Sequence, residues 1–389
     1  MDTIEIVYIE GDGAGEDIWR ASKGIFEEAI LKAYGGEKSI KWINLIAGQK
    51  ALDKEGQLLP KQTLETVKNK KCAIKGPLTT PVGGGFRSVN VYLRQVFDLY
   101  VCMRPIRYFS GLPSPLKSPE SIDIIIFREN TEDIYKGIEW KEGTKEAKEV
   151  IDFIKEKSGI QISDDSGIGI KPISKRGTQR FTRWVIDYAI KNKRKIITIV
   201  HKGNIMKFTE GAFRQWAIDT AKEFPKYLRL EEDRLKDDVL DERIVINDRI
   251  ADNMFMQIIL KPQDYDILLC PNLNGDYLSD ACAGLIGGLG VAPGANIGDD
   301  VAIFEPTHGS APKYAGKDMI NPTSFILSGA LMFRHLGHDK VAVLIEDAVE
   351  KTIQSKIVTY DLARNMSGVN PVRCSKFGEE VAKRIGENS

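Results

Sequence analysis

Ile4-Glu5-Ile6-Val7-Tyr8-Ile9 leads into Gly11-Asp12-Gly13-Ala14-Gly15-Glu16, and the reading of this junction decides the fold. The first six residues form a β-branched strand pattern. Trp19, Phe26 and Ile30 follow at helical spacing, so a strand-to-helix turn is predicted at the glycines. That is the setting of a dinucleotide-binding fingerprint, but the third glycine of G-x-G-x-x-G is replaced by Glu16. No acidic residue ends a clear second strand about 20 residues further on. The glycines are therefore read as a tight turn, and a Rossmann site is not expected.

The alternation continues outward from this junction. β-branched runs recur at 122–127, 195–200, 243–246 and 265–270, separated by helical patterns such as Phe181, Trp184, Val185, Tyr188 and Ala189. Strand and helix in turn predict an α/β protein. With 389 residues, 42% of them hydrophobic, the chain can bury two or three domain-sized cores. Lysine and arginine total 55, as do aspartate and glutamate. This balance argues against nucleic acid or anionic lipid as a partner, since both call for a basic excess. Cysteines 72, 102, 270, 282 and 374 include no C-x-x-C pair, so neither a disulfide framework nor a structural zinc is expected. The acidic start, Met1-Asp2-Thr3-Ile4-Glu5, lacks the base of a signal peptide. The apolar run 282–295 is too short and too broken by glycine and Pro293 to span a bilayer. No membrane contact and a cytoplasmic location are expected.

Two stretches interrupt the pattern. Residues 109–119 are rich in turn formers and read as a loop or crossover, whereas 139–175 is first Lys/Glu-rich and then Gly/Ser/Asp-rich, which reads as an insertion.

Several motifs carry chemistry. In Thr79-Thr80-Pro81-Val82-Gly83-Gly84-Gly85-Phe86-Arg87-Ser88-Val89-Asn90-Val91-Tyr92-Leu93-Arg94, a triple-glycine loop precedes a helix. Ser88 is its candidate N-cap, and Asn90 and Arg94 share one face. Helix starts favour anions, and Arg104 and Arg128 add two more cations beside apolar runs. Each arginine alone reads as an ordinary surface charge; together with the glycine loop they predict a polycarboxylate or phosphate site. In Asn272-Leu273-Asn274-Gly275-Asp276-Tyr277-Leu278-Ser279-Asp280, Asp276 and Asp280 stand four apart after a buried-looking strand. Like charges at that spacing repel unless a cation joins them, and an oxygen-only donor set suits Mg²⁺ or Mn²⁺. The plainer alternative is an N-capping Asp276 beside an exposed Asp280. Asp252 is a candidate third carboxylate. Lys202, in Val200-His201-Lys202-Gly203-Asn204, is a solvated side chain by default and a base only if held neutral. Glu305-Pro306-Thr307-His308-Gly309-Ser310-Ala311-Pro312-Lys313-Tyr314 reads as a polar, ligand-binding loop.

On these residues the chain resembles the isocitrate/isopropylmalate dehydrogenases, a family of β-decarboxylating oxidoreductases. The likeness runs from Ile4 to the C-terminal helix, with blocks 79–107, 127–140, 201–213, 272–280 and 305–316 in the family's order. It is greatest to the bacterial, NADP-dependent, isocitrate-oxidising branch. It implies an α/β fold that is not Rossmann: a large discontinuous domain from 1–99 and 287–389, and a small α/β domain from 100–132 and 175–286. It further implies a clasp at 133–174 that exchanges between the subunits of a homodimer with shared active sites.

The resemblance also implies roles. Ser88 and Asn90 hydrogen-bond the γ-carboxylate of isocitrate, where isopropylmalate enzymes carry apolar residues; an alkyl group would leave each polar group unpaired at about 1 to 3 kcal/mol. Arg94, Arg104 and Arg128 clamp the other carboxylates. Mg²⁺ or Mn²⁺ is held by Asp276, Asp280 and the partner subunit's Asp252. Lys202 of the partner subunit accepts the C2 hydroxyl proton as hydride passes to the nicotinamide. After CO₂ leaves, Tyr135 protonates C3 to give 2-oxoglutarate, a step of the tricarboxylic acid cycle, with Asn204 orienting substrate and cofactor. NADP is expected rather than NAD, because the positions facing its 2'-phosphate, Lys313, Tyr314, Tyr360 and Arg364, include no acid. His308, Gly309, Ala311 and Asn321 are assigned to the adenosine half and Thr79 or Thr80 to the nicotinamide end. Lys261 stands where relatives can carry an arginine that reaches the 2'-phosphate across the dimer. Ala14 replaces a larger apolar residue, a change to which no function attaches. In some bacterial relatives the serine matching Ser88 is phosphorylated, which makes a kinase a candidate partner. Two other readings stay open: a sister enzyme acting on homoisocitrate or 3-isopropylmalate, and a non-catalytic metabolite-binding regulator.

Overall fold

The β-branched runs pair edge to edge into one large sheet. The structure, a computed structural model, describes residues 2–79, 88–233 and 241–387. Its strands, in chain order, are β1 (Asp2–Ile9), β2 (Lys38–Leu45), β3 (Cys72–Lys75), β4 (Val101–Arg107), β5 (Asp123–Glu129), β6 (Glu139–Trp140) and β7 (Ile168–Gly169). Then come β8 (Ile196–His201), β9 (Leu228–Leu230), β10 (Ile244–Ile250), β11 (Ile267–Cys270), β12 (Pro293–Ile297) and β13 (Ala302–Pro306). Eleven of them form a sheet of order β2-β1-β3-β13-β12-β4-β5-β11-β8-β10-β9, and β6 pairs only with β7.

Strand direction divides the sheet. β2, β1, β3 and β13 are parallel; β12 is antiparallel to β13 and β4, and β5 is antiparallel to β4. β11, β8, β10 and β9 then follow the direction of β5. The outcome is two parallel blocks of opposite sense joined at β12, β4 and β5.

Helices cover the sheet. They are α1 (Gly15–Tyr34), α2 (Gln49–Glu55), α3 (Lys61–Lys70), α4 (Val89–Val96), α5 (Lys145–Ser158), α6 (Lys175–Lys191) and α7 (Glu210–Ala221). The later ones are α8 (Ala251–Leu260), α9 (Asn272–Leu285), α10 (Thr323–His335), α11 (Asp339–Gln354), α12 (Tyr360–Ala363) and α13 (Cys374–Lys383). In α1 the stripe Ile18, Ile25, Phe26, Ala29, Ile30 and Ala33 is buried, and the helix ends at Gly35 in the left-handed conformation. α10 is buried from Thr323 to Phe333, as suits a helix that is apolar on nearly every side.

The opening glycine turn is structural. The buried Asp12 carboxylate accepts from the backbone N–H groups of Gln49 (3.0 Å), Lys50 (3.0 Å) and Thr79 (2.7 Å), so it clips three loops together. Gly13 has φ +59°, and a Cβ there would stand 2.1 Å from the Ser310 carbonyl oxygen. The segment expected to be a polar insertion contains a helix, α5, capped by Thr144 (Ala147 N to Thr144 Oγ1, 3.2 Å). Only Ala147 and Ile151 are buried on it, which is why its composition reads as surface. Among the described residues no helix is long and apolar enough to cross a membrane, and all five cysteines are free and buried.

Candidate active site

Register builds the floor of the site. Ile74 lies opposite Phe304 and Glu305 opposite Gly294, so Lys75, Glu305 and Arg104 come to one face across β3, β13, β12 and β4. Gly294 leaves the space that the Arg104 side chain fills: a Cβ there would stand 2.8 Å from Arg104 Nη1. Lys75 Nζ pairs with Glu305 Oε2 at 2.5 Å, Asn296 Nδ2 donates to Glu305 Oε1 at 2.6 Å, and Arg94 lies 3.6 Å from the same carboxylate. Burial alone would push the Glu305 carboxyl up, but Lys75, Arg94 and Arg104 outweigh it and hold the group well below the ordinary carboxylate range.

Above this floor lies a cavity of about 280 Å³ lined by Ser88, Asn90, Arg94, Arg104, Arg128, Tyr135, Asp276, Asp280, Glu305 and His308. Four buried polar atoms of its wall have no hydrogen-bond partner: Asn90 Oδ1, Arg94 Nε, Arg128 Nη2 and His308 Nε2. Arg94 Nε and Arg128 Nη2 are donors without acceptors, each at a cost of about 1 to 3 kcal/mol, so the arginine side of the wall is complementary to an anion. Burial and the neighbouring Arg128 both disfavour the charge on Arg94, and an anion would relieve both. Ser88 caps α4 by accepting from Val91 N at 3.5 Å, which leaves its hydroxyl hydrogen free to donate.

Arg128, 2% exposed, donates from Nε to Asn272 Oδ1 at 2.7 Å, pairs with Asp276, and lies 4.7 Å over the Tyr135 ring. The Tyr135 hydroxyl donates to Asp276 Oδ2 at 2.5 Å. Burial and that bond push the Tyr135 phenol up to about 12. Asp276 is the fifth residue of α9, whose N-cap is Pro271, so the N-capping alternative is corrected. Asp276 and Asp280 face the same cavity, and burial together with Asp276 raises the Asp280 carboxyl. Two adjacent carboxylates with all-oxygen chemistry fit Mg²⁺ or Mn²⁺. Among the described residues no group of three or more His, Cys, Asp or Glu could hold a metal within one chain.

The remaining residues fall into two places. Near the cavity, Thr79 Oγ1 is 2.6 Å from Ser310 Oγ, and Tyr314 and Tyr360 stack at 5.6 Å. Ala311 is left-handed (φ +44°), and burial lowers the His308 imidazole. Asn321 is buried, with its amide engaged by Asp361 (3.0 Å) and Thr323 N (3.0 Å). Asp361 also accepts from Thr359 Oγ1 at 2.6 Å, so this nearby acid is already committed. Arg364 follows α12 and, like Lys313, has no carboxylate within ion-pair distance among the described residues. Thr80 lies outside the described residues. Elsewhere, Lys202 Nζ meets Asp252 Oδ1 at 2.5 Å where β8 ends and α8 begins, with Asn204 exposed beside them; hydrogen bonding from Lys202 lowers the Asp252 carboxyl. Lys261 ends α8 and lines a separate 350 Å³ cavity with Glu231 and Arg249.

Sequence reasoning placed Glu305 and Pro306 in a loop, whereas they end strand β13. It also missed Lys75, Asn296, Gly294 and Asn272. Register, which pairs distant segments, brings the first three together; Asn272 stands in the Asp276 motif, but its role in holding Arg128 shows only once β5 lies beside β11. A larger cavity of about 710 Å³, by the end of β4 and the starts of β5 and β8, is not the site, because its Arg194 and Arg334 already pair with Asp123, Asp266 and Glu346.

A family model for isocitrate/isopropylmalate dehydrogenase matches residues 5–381. The chain therefore belongs to the isocitrate/isopropylmalate dehydrogenase family. Isocitrate dehydrogenase (NADP) of Staphylococcus epidermidis is 52% identical over 98% of this chain and 95% of its own. The protein of that name from Archaeoglobus fulgidus is 52% identical (98% and 92%), and that from Pseudomonas aeruginosa 50% (98% and 93%). Among solved structures, isocitrate dehydrogenase from Methylococcus capsulatus superposes with TM-score 0.82 at 37% identity, covering all of both chains. The TT0538 protein from Thermus thermophilus also gives 0.82, at 32% identity, covering 99% of this chain and 68% of that one.

Proposed function

We propose that this chain catalyses the oxidative decarboxylation of isocitrate to 2-oxoglutarate and CO₂ with reduction of NADP, dependent on Mg²⁺ or Mn²⁺. The observation that carries the reading is the pair of buried, acceptorless donors, Arg94 Nε and Arg128 Nη2, in a wall with Ser88 and Asn90. An isopropyl group in place of the γ-carboxylate would leave Ser88 and Asn90 unpaired, while the arginines bind the carboxylates that both acids share. Charge agrees. Arg94, Arg104 and Arg128 exceed Asp276 and Asp280 by one, with Lys75 and Glu305 cancelling. A divalent cation raises the excess to three, matching the three carboxylates of isocitrate.

A bound divalent cation would supply Lewis-acid stabilisation of negative charge on the substrate, and a bound nicotinamide would supply the hydride acceptor. Asp276 and Asp280 would hold the cation together with the partner subunit's Asp252. Ser88 and Asn90 orient the γ-carboxylate, and the arginines fix the others. Lys202 of the partner subunit accepts the C2 hydroxyl proton, and Asn204 orients the groups beside it. Tyr135, which burial and Asp276 keep protonated, delivers its proton to C3. Lys313 and Arg364, flanking the Tyr314–Tyr360 stack, receive the 2'-phosphate, while His308, Gly309, Ala311 and Asn321 line the adenosine and Thr79 and Thr80 the nicotinamide end. Lys261 stands where relatives can carry an arginine that reaches the cofactor of the other subunit, and its contact there is the weaker for lacking the guanidinium fork.

Residues 1–99 with 287–389 and 100–132 with 175–286 are read as two lobes, and 133–174 as a clasp exchanged within a homodimer. Exposed apolar side chains beside Lys202 and on the helix of Asp252 support that assembly: Ile205 (69%), Phe208 (91%) and Leu260 (64%), with Tyr277 (58%) on the helix of Asp276 and Asp280. Ser88 is a candidate kinase target, because phosphate there would repel a tricarboxylate. Loss of isocitrate turnover in Ser88→Asp is the expected mimic, and normal turnover would refute it. The reading as a whole is tested by steady-state rates with isocitrate, 3-isopropylmalate and homoisocitrate, with NADP or NAD, and with or without EDTA. Turnover with isocitrate and NADP that EDTA abolishes is expected; turnover with isopropylmalate alone would overturn it.

A further inference from the structure

Behind the proposed proton-transfer residues lies a buried ionic cluster to which the reaction above gives no role. Lys171 Nζ pairs with Asp133 Oδ1 at 2.6 Å and approaches Glu210 Oε1 at 2.9 Å, an ion pair rather than an aligned hydrogen bond. Asp133 and Glu210 are almost wholly buried. Glu210 Oε2 accepts from the backbone N–H of Lys202 at 2.5 Å and from Asn274 Nδ2 at 2.8 Å. Asp133 Oδ2 accepts from Leu273 N at 3.1 Å, which satisfies an open N–H in the first turn of α9, a helix without a side-chain cap of its own. Asp133 is held at φ +66°, a conformation that costs about 1 to 3 kcal/mol and persists only where its surroundings impose it.

Three pieces of the proposed machinery therefore meet at one ammonium group. Tyr135 is two residues beyond Asp133, the helix bearing Asp276 and Asp280 is capped by Asp133, and the backbone of Lys202 hangs on Glu210. We propose that Lys171 is a positioning residue that holds the proton acceptor and the proton donor in place through Glu210 and Asp133. The inference rests on the shared-site reading above. Because Lys202 serves the partner's site and Tyr135 its own, each Lys171 supports one proton transfer at each of the two sites of the dimer. Removing it leaves two buried carboxylates without their cation, which loosens the segments they hold rather than the arginine pocket that binds substrate.

The test uses the full chain with Mn²⁺, NADP and isocitrate. Lys171→Met is expected to lower kcat at least tenfold while KM for isocitrate moves less than threefold, and Lys171→Arg to regain at least a third of the lost kcat. Glu210→Gln, of nearly equal shape, gives the same split and serves if Lys171→Met does not fold. Co-expressed Tyr135→Phe and Lys202→Met chains form a hybrid with one intact site, which uses Lys202 of the first chain and Tyr135 of the second. Adding Lys171→Met to either chain alone is expected to lower the hybrid's kcat. An inactive hybrid before that addition would overturn the shared-site reading. An active hybrid that is insensitive to Lys171→Met in either chain, or a single-chain variant in which KM rises as far as kcat falls, would overturn the positioning role.

Discussion

The arginine pocket and the Lys202–Asp252 pair differ in what one chain can finish by itself. The pocket has a buried arginine wall, is over-supplied with cations, and retains buried donors without acceptors. The pair sits on an open edge, neutralises itself across 2.5 Å, and shares its elements with exposed apolar side chains. A buried group must be provided for by its own fold or by a ligand, whereas an exposed pair can be redirected by whatever covers it. The first region is thus equipped for binding and the second for chemistry once another surface arrives.

Substitutions that separate binding from turnover sharpen this contrast. Lys202→Met is expected to lower kcat by about 10² to 10⁴, the usual share of a general base, with KM for isocitrate nearly unchanged in steady-state assays. A rise in KM with unaltered kcat would move Lys202 to the binding region. Arg128→Met removes a buried charge that holds Asn272 and Asp276, at a cost of about 3 to 5 kcal/mol, or roughly 10² to 10⁴ in kcat/KM. Its effect should fall on KM, as measured by isocitrate titration at saturating Mn²⁺.

A smaller effect concerns the pocket floor. Lys75, Arg94 and Arg104 hold the Glu305 carboxyl below its ordinary value of 4.5 against the opposing pull of burial. For a depressed carboxyl, the stability it confers is present above the unfolded value and lost as pH falls through the folded one. Urea unfolding should therefore show the full gap between the parent protein and Glu305→Gln at pH 7. Below pH 4.5 the gap should narrow by at most about 1.4 kcal/mol per pH unit. A gap that widens on acidification would contradict the ion pairing.

The same contrast explains what the sequence disclosed. The strand at Ile4, the helix spacing of Trp19, Phe26 and Ile30, and the clustering of Ser88, Asn90 and Arg94 are local, and local periodicity displays them directly. Asp276 and Asp280 were legible for the same reason, being one helical turn apart. The Lys75–Glu305 pair and the space left by Gly294 for Arg104 join residues far apart in the chain, and only sheet register brings them together. The Asp12 clip and the Lys171–Glu210 contact were hidden likewise, since an isolated acid or lysine reads as a solvated charge. α5 escaped notice because its buried face is two residues wide in a Lys/Glu-rich stretch.

The unmodified hybrid tests most directly the claim that each site draws on two chains. Tyr135→Phe and Lys202→Met homodimers are each expected to be nearly inactive with isocitrate and NADP. Random pairing puts about half of the dimers in hybrids with one intact site of two, so the mixture should recover about a quarter of the parent activity. A mixture as inactive as its two parents would contradict the account.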